Sequence, residues 1–144
     1  MDHAALEVRD VPGYGRGMFA TCTIRAGEVL WAEDPEDPRY HAREIAEWPA
    51  DVQTFFLRWS YQIDDEWFAG PRGPEDLVDS DYMNHSCDPN AWWVDQSTIS
   101  ARRDIAPGEQ VTFDYATSEN RPEYGFECRC GATACPVLVA SSRV

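Results

Sequence analysis

Residues 81–90 read Asp81-Tyr82-Met83-Asn84-His85-Ser86-Cys87-Asp88-Pro89-Asn90. The middle of the run sets an amide, an imidazole, a hydroxyl and a thiol side by side. A surface turn needs only the Asn, Asp and Pro. A metal site uses the thiol and, in one reading, the imidazole. A pocket for a polar cofactor uses Asn84 and His85, because an amide and a neutral imidazole each donate and accept hydrogen bonds. The rest of the chain decides how these readings divide the run.

The chain has 144 residues and a formal charge of −14, from 12 basic and 26 acidic side chains. That length suits one domain with a real core. No stretch approaches the roughly 20 apolar residues that cross a bilayer. The acid-bearing start, MDHAALEVRD, does not have the pattern of a signal peptide. The expectation is a cytoplasmic or nuclear protein, neither secreted nor membrane-bound. The negative balance argues against direct contact with nucleic-acid phosphates, which requires positive charge along the strand. It accords with a basic partner, such as a Lys/Arg-rich peptide, and equally with solubility alone.

The apolar pattern predicts short antiparallel strands over most of the chain. LEVRDV (6–11) alternates, PGYGRG (12–17) is a Pro/Gly turn, and MFATCTI (18–24) and VLWAE are further strands. HAREIAEW has helical character. DVQTFFLRWSYQI (51–63) is ambiguous, because Phe55, Phe56, Trp59 and Ile63 fit a helix whereas WSYQI fits a strand. DEWFAGPRGPEDL reads as loop. AWWV, TISARRDI and QVTFDYA (110–116) read as strands. IRAGEVL and IAPGEQVTF share one plan: Ile, a Gly-Glu turn, then an apolar strand.

Five cysteines occur, three of them within eight residues near the end of the chain. Cys128-x-Cys130-x4-Cys135 sits in a segment with too few apolar side chains to order itself. Three thiolates plus one from elsewhere complete a tetrahedral zinc site, and Cys87 is the best fourth candidate. A closed four-cysteine site is structural and contributes directly to folding. Buried free thiols are the alternative, as is His85 as a ligand beside Cys87. Cys22, between Thr21 and Thr23 in a strand pattern, reads as a core thiol.

Four blocks occur in one order: Gly15-Arg16-Gly17; Asn84-His85-Ser86-Cys87-x-Pro89-Asn90; Gly108-Glu109-Gln110-Val111-Thr112-Phe113-Asp114-Tyr115; and Cys128-x-Cys130-x4-Cys135. Together they resemble the SET-domain protein lysine methyltransferases that carry a cysteine-rich post-SET tail. The resemblance covers about residues 6–136. It implies a mainly β, β-clip-like core of short strands with a knot-like C-terminal crossing and a small zinc-bound tail. On that reading residues 6–116 are the SET core, with a variable insert around 36–80, and residues 117–144 are the tail. Two positions depart from the family. Asp81 stands where an arginine often precedes the aromatic residue, and Cys135-Pro136 stands where many relatives have a basic residue and glycine.

The resemblance implies S-adenosylmethionine (SAM) as cofactor, a structural zinc held by Cys87, Cys128, Cys130 and Cys135, and a lysine-bearing, basic protein as substrate. It makes Tyr115 the catalytic residue, with orientation and electrostatic support as its role. A tyrosine with a pKa near 10 is a poor base at neutral pH. Gly15, Arg16, Gly17, Tyr82, Asn84 and His85 become the cofactor contacts. Tyr61, Tyr82, Phe113 and Tyr115 become the walls of the lysine channel. Trp59, Trp67 and Phe68 are further candidate walls, or core. Phe113 occupies a position where the family varies between Phe and Tyr. Phenylalanine leaves the roomier end, so di- or trimethylation is expected. Two alternatives stay open: an idle module that binds basic or methylated peptides, and methylation of a non-histone amine. The size and the aromatic content permit a homodimer.

Overall fold

Strands β1 (Leu6–Val11) and β2 (Gly15–Ala20) form an antiparallel hairpin in which Val11 faces Gly15 and Leu6 faces Ala20. The computed structural model describes residues 2–13 and 15–117, with the backbone of residues 126–127 and 138–139. The turn is shorter than the 12–17 stretch predicted from its glycines. Gly13 sits at φ +81° and reverses the chain, and Gly15 to Gly17 already belong to β2. β2 ends at Ala20, where the Thr21 N–H turns to the Ala5 carbonyl. Cys22 therefore lies on an exposed bend, not in the core. The core position predicted for it is taken by Ile24, which is fully buried.

The remaining elements are β3 (Val29–Ala32), β4 (Tyr40–His41), α1 (Ala42–Ile45), α2 (Ala50–Trp59), β5 (Tyr61–Gln62), β6 (Trp67–Ala69), β7 (Asn84–His85), β8 (Ala91–Trp93), β9 (Thr98–Ala101) and β10 (Gln110–Phe113). Two short strands, β11 (Phe126–Glu127) and β12 (Leu138–Val139), pair antiparallel. The fold is mainly β, with short strands and few helices. Its sheets have the orders β1-β2-β10-β7, β3-β9-β8 and β4-β6-β5.

The two Gly-Glu turns are structural partners as well as sequence relatives. Ile24 and Ile105 exchange both backbone hydrogen bonds, at 2.9 and 2.8 Å. Gly27 (φ +88°) and Gly108 (φ +81°) hold the left-handed conformation that each turn requires. Glu28 and Glu109 then turn their carboxylates back to cap the N–H groups of Arg25 and Ala106. Ala101 docks on the first turn, donating to Glu28 O and accepting from Gly27 N. Ala20 does the same on the second, with Glu109 and Gly108. This exchange places Met18, Ala20, Ile24, Leu30, Ala101, Ile105 and Val111 in one core, each at most 2% exposed.

Residues 40–69 build a satellite layer. The ambiguous stretch 51–63 is both of its readings in succession: α2 runs to Trp59, Ser60 caps it, and β5 follows at Tyr61. Phe56 is fully buried with Ile45 and Phe68. Its ring stands edge-on to Tyr40 and Trp48, and the Arg72 guanidinium covers Trp48 at 4.3 Å. Burial of such a ring contributes about 1.5–3 kcal/mol. β6 corrects the loop reading of residues 65–77, since it pairs with both β4 and β5. Its Trp67 end is shaped by Asp64, whose Oδ1 accepts from the Glu66 and Trp67 N–H groups. Asp64 thus builds a turn.

Candidate active site

The site forms where β7 lies parallel to β10, pairing Asn84 with Thr112 and His85 with Phe113. Two residues are too few to hold a strand by ladder bonds alone, so side chains complete the seam. Asn90 is 2% exposed. Its amide donates to Gln110 O at 2.8 Å and its oxygen accepts from Thr112 N at 2.9 Å. The Ser86 N–H reaches Phe113 O at 3.1 Å. The Asn84-to-Asn90 run is therefore sewn to β10 along its length.

Beyond β10 the backbone does not continue as the strand predicted for 110–116. It tightens into a 3-10 turn, Tyr115–Thr117. Two bonds fix Tyr115 there. Its N–H donates to His85 Nδ1 at 3.0 Å, and its hydroxyl donates to Met83 O at 2.7 Å. Burial pushes the Tyr115 hydroxyl pKa well above that of a free tyrosine. The group stays a phenol at any physiological pH. Its single proton is committed to Met83, so toward any further donor the oxygen acts as an acceptor.

His85 links this tyrosine to Cys87. The Nδ1 atom accepts from Tyr115, so the neutral ring carries its proton on Nε2, which lies 3.2 Å from Cys87 Sγ. Asp114 Oδ1, 3.5 Å from Nδ1, favours the charged ring, but burial outweighs it and lowers the His85 pKa below the usual range. With its side chain only 4% exposed, the imidazole is held neutral and donates to sulfur. Among the described residues, no group of three or more His, Cys, Asp and Glu side chains is arranged to hold a metal. Cys128, Cys130 and Cys135 lie outside the described residues.

On the other side of β7, the Asn84 amide donates to Arg16 O at 2.8 Å and to Gln110 Oε1 at 2.9 Å. Gly17 makes this approach feasible. A Cβ there would stand 2.5 Å from Gln110 Oε1 and 3.0 Å from Asn84 Nδ2. Gly15 (φ +89°) has nothing within 4 Å of its Cβ position, so its requirement is conformational. The Arg16 guanidinium covers the Tyr82 ring at 5.7 Å, and Tyr82 is edge-on to Trp59 at 5.5 Å. Tyr82, offered by the sequence for both cofactor and channel, is thus grouped with Arg16 and α2.

A continuous row of rings leads away from Tyr115. Phe113 lies 4.8 Å from Tyr115, Trp93 6.2 Å from Phe113, and Tyr61 5.5 Å from Trp93. Trp31 closes the group, 5.4 Å from Tyr61 and 5.7 Å from Trp93. Trp31 and Trp93 both flank Ile99 in register, from the two strands beside β9. Sequence reasoning named Tyr61, Phe113 and Tyr115 but missed Trp31 and Trp93. Both lie in predicted strands, but local patterning does not reveal that those two strands flank β9. It also missed Glu33, a buried carboxylate held by Arg39 at 2.7 Å and lying beside the Tyr61 hydroxyl. Phe68 is 4% exposed in the satellite core, and Trp67 is surface-exposed against His41. Neither joins the row.

The seam of β7 against β10, the half-buried Tyr115 and the paired Gly-Glu turns define a SET-type domain. The family model for the SET domain matches residues 15–116. The chain belongs to the SET-domain family. It is 31% identical over 134 residues to ASHH4 of Arabidopsis thaliana, covering 84% of this chain and 35% of that protein. It is 30% identical over 148 residues to the histone-lysine N-methyltransferase, H3 lysine-36 specific, of Yarrowia lipolytica, covering 92% of this chain and 18% of the relative. It is 28% identical over 129 residues to the histone-lysine N-methyltransferase, H3 lysine-4 specific, of Cryptococcus neoformans, covering 84% and 9%. The chain thus spans about a third or less of the length of these relatives.

Proposed function

We propose that this chain transfers methyl groups from SAM to the side-chain amine of a lysine in a protein, with Tyr115 as the catalytic residue. The observation that carries the reading is the Tyr115 hydroxyl, fixed as an acceptor by Met83 and standing at the inner end of the aromatic row. When bound, SAM would supply a sulfonium methyl group to an uncharged amine, the N–C bond forming as the S–C bond breaks, with S-adenosylhomocysteine leaving and the product's extra proton passing to solvent water. An ammonium has no lone pair, so the lysine reacts uncharged. Rings of Tyr61, Trp93 and Phe113 favour the uncharged form by excluding water. Tyr115 O accepts from the amine and holds its nitrogen in line.

The residues fit the cofactor. Asn84, next to His85 on β7, reaches Arg16 O and lies against Gly17. Asn84 Oδ1 is an acceptor suited to the cofactor's ammonium. The bare Gly17 Cα and open Gly15 turn allow close backbone approach. Tyr82 and Arg16 wall the same side. Phe113, with no hydroxyl, leaves room for a second and third methyl group.

The same reading assigns residues 6–116 to the SET core, with its insert at about 36–80, and passes residues 110–117 beside 84–87 in the knot-like crossing. It assigns residues 117–144 to a post-SET tail whose Cys128, Cys130 and Cys135 bind one zinc with Cys87. The donor aimed at Cys87 Sγ from His85 supports a thiolate there. All basic side chains of the chain are arginine, so none of its own 144 residues is a lysine acceptor. The names of the relatives direct the choice of substrate to histones, and hence of compartment to the nucleus.

The test is transfer of labelled methyl from SAM to a panel of histones, non-histone proteins and peptides by the purified chain. Wild type is expected to label a lysine, and Tyr115→Phe to lose roughly two orders of magnitude in rate. SAM binding without transfer on every panel member would favour the idle peptide-binding module instead.

A further inference from the structure

We infer that Gln110 is a positioning residue for the cofactor, acting through Asn84. The inference rests on the cofactor reading above and extends it to a residue that contacts no cofactor atom in that reading.

The argument begins at a backbone carbonyl, because a carbonyl oxygen can only accept. Arg16 O lies 2.8 Å from one end of the Asn84 amide, so that end must be the NH2 group. The same nitrogen lies 2.9 Å from the Gln110 amide, and the atom facing it must therefore be Gln110 Oε1. Orientation thus passes from Arg16 to Asn84 to Gln110, with no freedom for either amide to flip. Both N–H groups of Asn84 are used, and among the described residues none donates to Oδ1. Asn84 is thereby locked so that Oδ1 offers only an acceptor. That polarity is the one required by a cationic amino group and refused by a carboxylate.

Without Gln110, Arg16 O would occupy only one Asn84 N–H. The second would be left to water, and the ring of constraints joining β2, β7 and β10 would open. Gly17 shows that the contact is built and not incidental. At 2.5 Å from Gln110 Oε1, its missing Cβ would occupy the space that the Gln110 side chain needs. Gln110 itself is held from behind, since its backbone carbonyl accepts from Asn90. A carboxylate at position 110 would keep the acceptor, whereas an apolar side chain of equal length would remove it.

The experiment is calorimetric binding of S-adenosylhomocysteine to the full chain, with circular dichroism and thermal melting of each variant. Gln110→Met is expected to weaken binding about tenfold, as loss of one orienting hydrogen bond to a polar ligand site implies. Gln110→Glu should stay within about threefold of wild type. In an Asn84→Ala background, Gln110→Met should add nothing. Wild-type affinity in Gln110→Met, equal weakening by Gln110→Glu, or full additivity with Asn84→Ala would each overturn the inference. Gln110→Ala carries the same comparison if the Met variant does not fold, since the position is half-buried. Failure of wild type to bind at all would instead overturn the cofactor reading.

Discussion

The backbone N–H of Tyr115 donates to Nδ1 of His85 across 3.0 Å, joining residues 30 positions apart in the chain. That bond sets the imidazole tautomer, turns the Nε2 proton toward Cys87, and holds the tyrosine at the end of the aromatic row. One neutral histidine therefore connects the proposed catalytic residue to the proposed zinc ligand. Replacement of His85 by Phe keeps a ring but removes both bonds. It should cost about 1–3 kcal/mol of stability, because a half-buried N–H loses its acceptor. Thermal melting would show this, and methyl transfer should fall with it. Unchanged melting would mean that the tyrosine is held by other contacts.

Cys87→Ser should act on both sites. Zinc content, expected at about one per chain in wild type, should fall, and S-adenosylhomocysteine affinity should weaken, because Ser86 and His85 share the same seam with β10. Elemental analysis and calorimetry report the two effects separately. Zinc loss with unaltered affinity would uncouple the staple from the cofactor side.

Phe113→Tyr should shift the product toward lower methylation. The Phe113 ring lies 4.8 Å from Tyr115 and 6.2 Å from Trp93, so an added hydroxyl takes up room in the proposed channel beside Tyr115. Mass spectrometry of exhaustively methylated peptide would measure it. A wild-type enzyme that stops at the monomethyl form would remove the basis for this expectation.

Gly17→Ala should destabilise by about 1–3 kcal/mol, the usual cost of overpacking. Its Cβ meets Gln110 Oε1 and Asn84 Nδ2 first. Because those atoms orient Asn84, loss of cofactor affinity should exceed that of a neutral surface substitution. Equal affinity in calorimetry would show that the amide pair can shift aside.

Stability should depend on pH through Asp81, whose pKa burial raises to about 6, with the Asp2 charge adding to the rise. The folded state then binds a proton more tightly than the unfolded one. The ionised form is penalised, so this residue's contribution falls as pH rises from about 4 to about 6 and is constant above. Asp81→Asn retains an oxygen that can accept from the Val78 N–H. Its stability relative to wild type should therefore be near equal at pH 4 and higher at pH 7, measured by denaturant titration. A difference independent of pH would contradict the assignment.

Several residues of the candidate site were conspicuous in short runs. Asn84-His85 and Phe113-Asp114-Tyr115 stood out because their residue types are unusual in sequence neighbours and hold their chemistry locally. The IRAGEVL and IAPGEQVTF relationship was visible as a pattern, but their mutual pairing through Ile24 and Ile105 was not. Trp31 and Trp93 were invisible as partners. Period-2 patterning says which residues share a strand face, and says nothing about which strands meet. Cys22 was misplaced because a strand pattern was extended past Ala20, where a single bond to Ala5 turns the chain outward.

The sequence by itself determined the inventory: short strands, left-handed glycines at the turns, a polar run and a conspicuous Tyr115. Those follow from side-chain chemistry and local backbone sterics. Tertiary structure alone decided polarity. Met83 O makes the Tyr115 oxygen an acceptor, Tyr115 N–H makes His85 a donor to sulfur, and Arg16 O orients Asn84 and then Gln110. An amide, an imidazole and a hydroxyl each offer both roles. Which role is used depends on a partner brought alongside from a distant part of the chain.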